Sequence, residues 1–123
     1  MVVEDDTIMG QMVSEILSDV GFEVTPAPNG MVALEKLKQD LVDFIILDIL
    51  LPEMSGFDIY ERLQANPKTK EIPVMIVTAW ADSQHLEKAS RMGIKHFLAK
   101  TFTEDELLLA ILTLLVDSSR EDE

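Results

Sequence analysis

Five side chains that could carry chemistry follow apolar segments at four points along the chain. Glu4 and Asp5 follow the first segment, Asp48 and Thr78 each end a continuous apolar run, and Lys100 follows a shorter one. Carboxylates that converge repel one another unless a cation lies among them, and such oxygen ligands suit Mg²⁺ or Mn²⁺. A carboxylate, a hydroxyl and an ammonium group beside such an ion are suited to phosphoryl transfer, because the cations stabilise phosphoryl oxygens.

The elements that must position these residues alternate between short apolar runs and segments of helical period. The predicted strands are residues 1–3, 22–25, 44–47, 74–77 and 95–99, with a turn at 26–30. The predicted helices are residues 7–20, capped by Asp6 or Thr7, a segment after residue 30, and residues 57–64, 83–92 and 104–116. This alternation predicts an α/β domain in which a parallel sheet has helices on both faces and the carboxyl ends of its strands share one crevice.

Length and charge restrict the classes of protein. The 123 residues fit a single domain, which we place at residues 1–117, and the polar, acidic segment 118–123 is predicted to be a disordered tail. Ten Lys and Arg against 23 Asp and Glu give a formal net charge of −13. A field of this sign repels phosphates and anionic lipid, so we expect no direct contact with nucleic acid or membrane.

The absence of cysteine excludes disulfides and thiol-based metal sites, and the chain shows no apolar stretch of membrane-spanning length. A cytoplasmic location is therefore the expectation. The two histidines, His85 and His96, lack the spacing of a metal pair, and no chemical role is assigned to them.

The motifs at these strand ends resemble the signature of response regulator receiver domains, and the resemblance covers essentially the whole chain. The motifs are Val2-Val3-Glu4-Asp5-Asp6, Leu47-Asp48 with Pro52 and Gly56, Val77-Thr78-Ala79, and Lys100 with Phe102. The resemblance implies a flavodoxin-like (βα)5 three-layer sandwich with parallel sheet order 2-1-3-4-5. It also implies phosphorylation in a two-component system.

By this resemblance, Asp48 accepts a phosphoryl group from a sensor histidine kinase or a phosphotransfer domain. Asp5 and Asp48 would ligate Mg²⁺, Glu4 would help through a water molecule, and the backbone carbonyl of Leu50 would supply another ligand. Lys100, with Thr78, would stabilise the phosphoryl oxygens. Such a domain is a signalling protein rather than a metabolic enzyme, since it catalyses only its own phosphorylation and dephosphorylation.

The resemblance further implies a switch formed by Thr78 and Phe97. Inward movement of the Thr78 hydroxyl would vacate space for the Phe97 ring and alter the face built from helix 4, strand 5 and helix 5. Since phenylalanine lacks a hydroxyl group, only steric coupling is available. The last helix carries more apolar residues than one buried stripe needs, which is compatible with a homodimer or effector interface or with a wide buried face.

Three features depart from the family pattern or modulate it. Thr101 replaces the usual proline after Lys100, so we expect a trans peptide bond there unless the site enforces the cis form. Lys95 and His96 stand where one large subfamily carries paired acidic residues, which argues against that subfamily's dimer. Leu50 and Trp80 lie two residues after Asp48 and Thr78, where bulky apolar groups would impede an attacking water and prolong the life of the phosphoryl group.

Three rival functions are weighed against this interpretation. An Asp-nucleophile phosphatase would carry a second aspartate two residues after the first, where Leu50 stands. A nucleotide or flavin domain would have a Gly-rich loop after the first strand, where Glu4, Asp5 and Asp6 would instead repel phosphate. A receiver-like scaffold that acts without phosphorylation remains the third alternative.

Overall fold

The computed structural model describes the backbone of residues 1–121 and the side chains of residues 1–119. The strands are β1 (Val2–Val3), β2 (Pro26–Ala27), β3 (Ile45–Leu47), β4 (Val74–Thr78) and β5 (His96–Ala99). The helices are α1 (Thr7–Asp19), α2 (Gly30–Leu37), α3 (Gly56–Ala65), α4 (Ser83–Arg91) and α5 (Glu104–Glu121). Each strand is followed by one helix, as the alternating sequence pattern predicted.

The five strands form one sheet of order β2-β1-β3-β4-β5 in which every neighbouring pair is parallel. This confirms the predicted flavodoxin-like order. Because all strands run in the same direction, their carboxyl ends lie along one edge of the sheet.

Two apolar clusters make the three layers. One face of the sheet packs on α2, α3 and α4, with buried residues that include Ala33, Leu63 and Ala89. The other face packs on α1 and α5, with buried residues that include Leu17 and Leu107. β3 and β4 are buried on both faces, which accounts for their continuous apolar sequences.

The predicted position of the second strand is wrong. β2 is Pro26–Ala27, within the segment predicted as a turn, and residues 22–25 form no regular strand. Backbone N–H groups of Val2 and Glu4 donate to the carbonyls of Thr25 and Ala27, at 3.0 Å each. These two carbonyls belong to the residues on either side of Pro26, and β2 is an edge strand, so the missing N–H of Pro26 costs no pairing.

The last helix is longer than the sequence predicted. α5 continues to Glu121 and therefore includes part of the segment 118–123, which was predicted to be a disordered tail. Once a helix has formed, each further residue can add one hydrogen bond to it, which favours this extension. Residues 122 and 123 lie outside the described residues. Among the described helices, none combines the length and the apolar character that crossing a membrane requires.

Candidate active site at the carboxyl ends of the strands

Polar side chains from four strand ends meet at one edge of the sheet. Glu4 and Asp5 follow β1, Asp48 follows β3, Thr78 ends β4 and Lys100 follows β5. Carboxylate oxygens of Glu4, Asp5 and Asp48 all lie within 4.8 Å of one another. The structure thus brings together the acidic residues that the sequence singled out.

Lys100 joins two of the three carboxylates. Its Nζ donates to Oε1 and Oε2 of Glu4, at 3.1 and 3.2 Å, and to Oδ2 of Asp48, at 3.0 Å. The side chains of Lys100, Glu4 and Asp48 expose only 12%, 7% and 6% of their surface. One buried ammonium therefore faces an excess of negative charge.

This excess of negative charge contributes to a raised pKa of Glu4. Burial, followed by the charge of Asp48, raises the pKa of Glu4 from its ordinary 4.5 to about 7, although Lys100 opposes the shift. Burial acts to lower the pKa of Lys100, but its hydrogen bonds and charge interactions with Asp48 and Glu4 prevail, and this pKa is raised. The lysine stays charged while the crevice holds more carboxylate than it can pair.

Backbone groups hold Asp48 in place. Its N–H donates to the carbonyl of Val3 at 3.2 Å, and its Oδ1 accepts from the N–H of Leu50 at 3.2 Å. Gly56, at the start of α3, approaches so closely that a Cβ there would collide with the Asp48 carbonyl. With Oδ1 on Leu50 and Oδ2 on Lys100, both carboxylate oxygens have fixed directions.

The two aspartates in the loop after β1 have different positions, one at the start of α1 and one at the acidic cluster. Asp6 caps α1, as predicted, because its Oδ1 accepts from the N–H groups of Ile8 and Met9 at 3.0 and 3.1 Å. Asp5 is exposed and points a carboxylate oxygen into the acidic cluster. The cap therefore fixes the helix start and leaves Asp5 available for a ligand.

The donor set fits a hard divalent cation. Three carboxylates within reach of one point, of which Glu4 and Asp48 are largely buried, match the oxygen ligands that Mg²⁺ and Mn²⁺ prefer. Leu50, whose carbonyl the sequence proposed as a further ligand, follows Asp48 on the rim of the crevice and is exposed. Its ligand role stays a prediction.

The two residues of the predicted switch lie on neighbouring strands. Thr78 is fully buried, and its Oγ1 accepts from the backbone N–H of Trp80 at 3.2 Å. Phe97 is half-buried and lines, with Leu86 and Ala89 of α4, a surface groove of about 550 Å³. The Phe97 ring therefore borders open volume beside α4, and its role in a switch stays a prediction.

The expectation of a trans peptide bond before Thr101 is wrong, since the Lys100–Thr101 bond is cis. The backbone N–H of Lys100 donates to the carbonyl of Thr78 at 2.9 Å, and its side chain contacts both Glu4 and Asp48. Lys100 is therefore held through both its backbone and its side chain.

Sequence reasoning missed a cluster of rings beside the site. The His85 ring stacks on Phe57 with centroids 6.3 Å apart and meets the Trp80 ring edge-on at 5.1 Å. His85 Nδ1 also lies 2.8 Å from Oδ1 of Asp82. The spacing of Asp82 and His85 at a helix start could have indicated their contact from the sequence alone. The contact between His85 and Phe57 could not be predicted in this way, because it depends on how α3 and α4 pack. The other histidine, His96, pairs with Asp117 at 3.2 Å, away from this cluster.

Known proteins resemble the chain in both sequence and fold. The sequence model of the response regulator receiver domain matches residues 1–112. Chemotaxis protein CheY-3 of Vibrio cholerae is 33% identical over 104 residues, which cover 84% of this chain and 80% of that protein. The solved structure of chemotaxis protein CheY4 of Vibrio cholerae has a TM-score of 0.87 and 30% identity, covering 93% of this chain and 95% of that one.

Longer relatives match over part of their length. The transcriptional regulatory protein CrdR of Helicobacter pylori is 34% identical over 105 residues, which cover 85% of this chain and 49% of that protein. The chain spans about half the length of several curated relatives it matches, with 57% and 50% in two further cases.

Proposed function

The chain belongs to the response regulator receiver domain family, and from this membership we propose that it accepts a phosphoryl group on Asp48 and relays the event through Thr78 and Phe97. The observation that carries the proposal is the setting of Asp48. Its carboxylate is buried, both of its oxygens are held by hydrogen bonds, and it lies beside Lys100 and within 4.8 Å of two further carboxylates.

In the proposed reaction, an oxygen of Asp48 forms a bond to phosphorus while the bond from phosphorus to the donor's imidazole nitrogen breaks. The bonding electron pair returns to that nitrogen, and protonation leaves the ring as neutral imidazole. The Lys100 ammonium, 3.0 Å from Asp48, would donate a hydrogen bond to one phosphoryl oxygen and stabilise its negative charge. The Thr78 hydroxyl would donate a hydrogen bond to another phosphoryl oxygen.

Glu4, Asp5 and Asp48 would hold Mg²⁺, or Mn²⁺, together with the carbonyl of Leu50. When bound, the ion would neutralise charge as the phosphoryl oxygens approach the acidic crevice. The proposed donors are a sensor histidine kinase or a phosphotransfer domain, and the proposed compartment is the cytoplasm. The domain would act on itself alone, as a signalling component and not as a metabolic enzyme.

The proposed switch uses the contacts seen around Thr78. Movement of its hydroxyl toward a phosphoryl oxygen would end its hydrogen bond with the Trp80 N–H and open space for Phe97 to rotate toward the sheet. The face of α4, β5 and α5 would then change shape. No direct contact with nucleic acid or membrane is proposed for this acidic chain.

The last helix offers a candidate partner surface. Leu107, Ile111 and Leu114 are buried, whereas Leu109 and Leu112 are exposed. A homodimer or an effector would cover the exposed pair. A Leu109→Gln, Leu112→Gln variant should then lose self-association in sedimentation, or lose binding to the effector, without losing its fold.

The test is intact mass after incubation with acetyl phosphate and Mg²⁺. We expect one phosphoryl adduct in the native chain and none in Asp48→Asn or in the presence of EDTA. Asp43→Asn is the matched control, because Asp43 is exposed and precedes β3, at the opposite end of that strand from Asp48. No adduct under any condition would favour the alternative in which the domain is a scaffold that acts unphosphorylated.

A further inference from the structure

Three rings connect the start of α3, which packs against the Asp48 backbone, with the loop that follows Thr78. Phe57 follows Gly56, whose close approach fixes the start of α3 against the Asp48 backbone. His85 stacks on Phe57 with an interplanar angle of 6° and meets Trp80 at 65°, both within the range of favourable aromatic pairs. We call Phe57, His85 and Trp80 the ring cluster.

His85 is the member that ties the other two together. Its ring contacts both Phe57 on α3 and Trp80 in the loop between β4 and α4. The ring is itself oriented by Asp82, whose Oδ1 accepts from the His85 backbone N–H at 2.9 Å and lies 2.8 Å from Nδ1. Hydrogen bonds from the backbone and the side chain of His85 lower the pKa of Asp82, which favours the ionised carboxylate that accepts them.

The Trp80 end of the cluster reaches the switch residue. The Trp80 backbone N–H donates to Oγ1 of Thr78 at 3.2 Å. If the Thr78 hydroxyl moves toward a phosphoryl oxygen, either the Trp80 N–H moves with it or this bond is lost. The contacts that hold Trp80 in place therefore oppose that movement, because the loop cannot follow Thr78 without leaving the His85 ring.

We propose that His85 is a positioning residue that holds the loop carrying Trp80 in its unphosphorylated position, and so sets how readily Thr78 switches. This inference rests on the proposed function, since it presupposes phosphorylation at Asp48. It assigns to His85 a role that the family motifs do not contain. The Lys88 ammonium, 4.7 Å above the Phe57 ring, adds a cation–π contact to the same cluster.

Trp80 is the only tryptophan in the chain, so its fluorescence reports on this loop alone. The probe is beryllofluoride, an inorganic mimic of the phosphoryl group, titrated with Mg²⁺ into the full chain. The variants are His85→Ala, which removes the ring, and His85→Phe, which retains the stacking. Gln84→Ala is the matched control, because Gln84 is exposed in the same turn of α4.

We expect the ligand-free His85→Ala protein to show red-shifted Trp80 emission and to bind beryllofluoride about twofold to tenfold more tightly, the range that loss of an aromatic pair produces. His85→Phe and Gln84→Ala should stay within about twofold of the native chain, a difference smaller than one such pair. A native affinity in His85→Phe would show that the ring positions the loop, and thermal melting of each variant checks that no variant has lost its overall structure.

Unchanged emission and affinity in His85→Ala, or weaker binding, would overturn the inference. If His85→Ala does not fold, His85→Leu and His85→Phe provide the comparison. Leucine keeps apolar bulk but loses both ring contacts, so His85→Leu should bind more tightly than His85→Phe, and equal affinities would count against the role of His85. Absence of any Mg²⁺-dependent response in the native chain would instead reject the proposed function.

Discussion

The ammonium group of Lys100 lies 3.0 Å from Oδ2 of Asp48 and bridges to Glu4 on the other side. The lysine thus occupies one oxygen of the proposed phosphoacceptor, while the N–H of Leu50 occupies the other. Since Asp5 adds a third carboxylate, a single lysine leaves net negative charge in the crevice.

Replacement of Lys100 by alanine should tighten Mg²⁺ binding and slow phosphorylation. Removing a cation from beside two proposed ligands removes its repulsion of the metal, so the affinity should rise about tenfold, or about 1.4 kcal/mol. The rate of labelling by acetyl phosphate should fall about 100-fold, as when one oxyanion donor is lost. Calorimetry and intact mass measure the two effects.

Lys38→Ala is the control for Lys100→Ala, because Lys38 forms an exposed pair with Glu35 far from the site. It should change neither quantity. Weaker metal binding in Lys100→Ala would show that the lysine organises the carboxylates for the ion and does not compete with it.

The raised pKa of Glu4 predicts a pH dependence of stability in the metal-free protein. Its pKa is about 7 in the fold and 4.5 ordinarily, so the folded state binds the extra proton between these values. The Glu4 contribution is therefore fully present below about pH 4.5 and is lost as the pH rises to about 7. The loss should be on the order of 2 kcal/mol, since solvent screens part of the interaction.

Glu4→Gln should remove this component of the pH dependence. Urea unfolding at pH 5 and pH 8 in EDTA gives the comparison, with Glu35→Gln as an exposed control. A pH dependence in Glu4→Gln equal to that of the native chain would show that other groups cause it.

Replacement by alanine should have opposite effects on stability at two glycines, Gly56 and Gly10. At Gly56 a Cβ would strike the backbone of Asp48 and Ile49, so Gly56→Ala should destabilise by about 1 to 3 kcal/mol and displace Asp48. At Gly10, within α1, the nearest atoms to a Cβ are those of Glu4 at 3.7 Å, an ordinary contact. Gly10→Ala should therefore stabilise the protein by about 0.5 to 1 kcal/mol through helix propensity. Thermal melting compares the two variants.

Residues at strand ends could be predicted from the sequence. Asp48 and Thr78 each terminate a continuous apolar run, and a polar residue at the end of a buried parallel strand lies at the crevice by geometry alone. The convergence of the acidic residues follows from the same rule, whereas the order of the strands was predicted from the family resemblance.

Features that depend on packing could not be predicted. The Phe57–His85 stack joins two helices, and nothing in the local sequence of either residue indicates the other. The same holds for the bridge from Lys100 to Glu4, whose partners lie near opposite ends of the chain. β2 was misplaced because Pro26 argues against a strand locally, whereas its edge position permits one.

Leu50 and Trp80 are predicted to slow hydrolysis of the aspartyl phosphate. They lie two residues after Asp48 and Thr78 on adjacent loops, and their side chains remain 53% and 46% exposed at the crevice rim. Bulky side chains there obstruct the approach of an attacking water, so Leu50→Ala and Trp80→Ala, which remove that bulk, should each shorten the phosphoryl half-life several-fold. Because the residues lie on separate loops, the double variant should show roughly the product of the two effects.

The half-life is measured by intact mass after acetyl phosphate is removed, in the presence of Mg²⁺. Leu41→Ala is the control, because Leu41 is an exposed leucine in the loop before β3, at the opposite end of that strand from Asp48. His85→Ala should shorten the half-life in the same direction as Trp80→Ala if the indole shields the site only while His85 holds it. Half-lives that stay the same or lengthen in both Leu50→Ala and Trp80→Ala would mean that water reaches the phosphoryl group by a path these residues do not border.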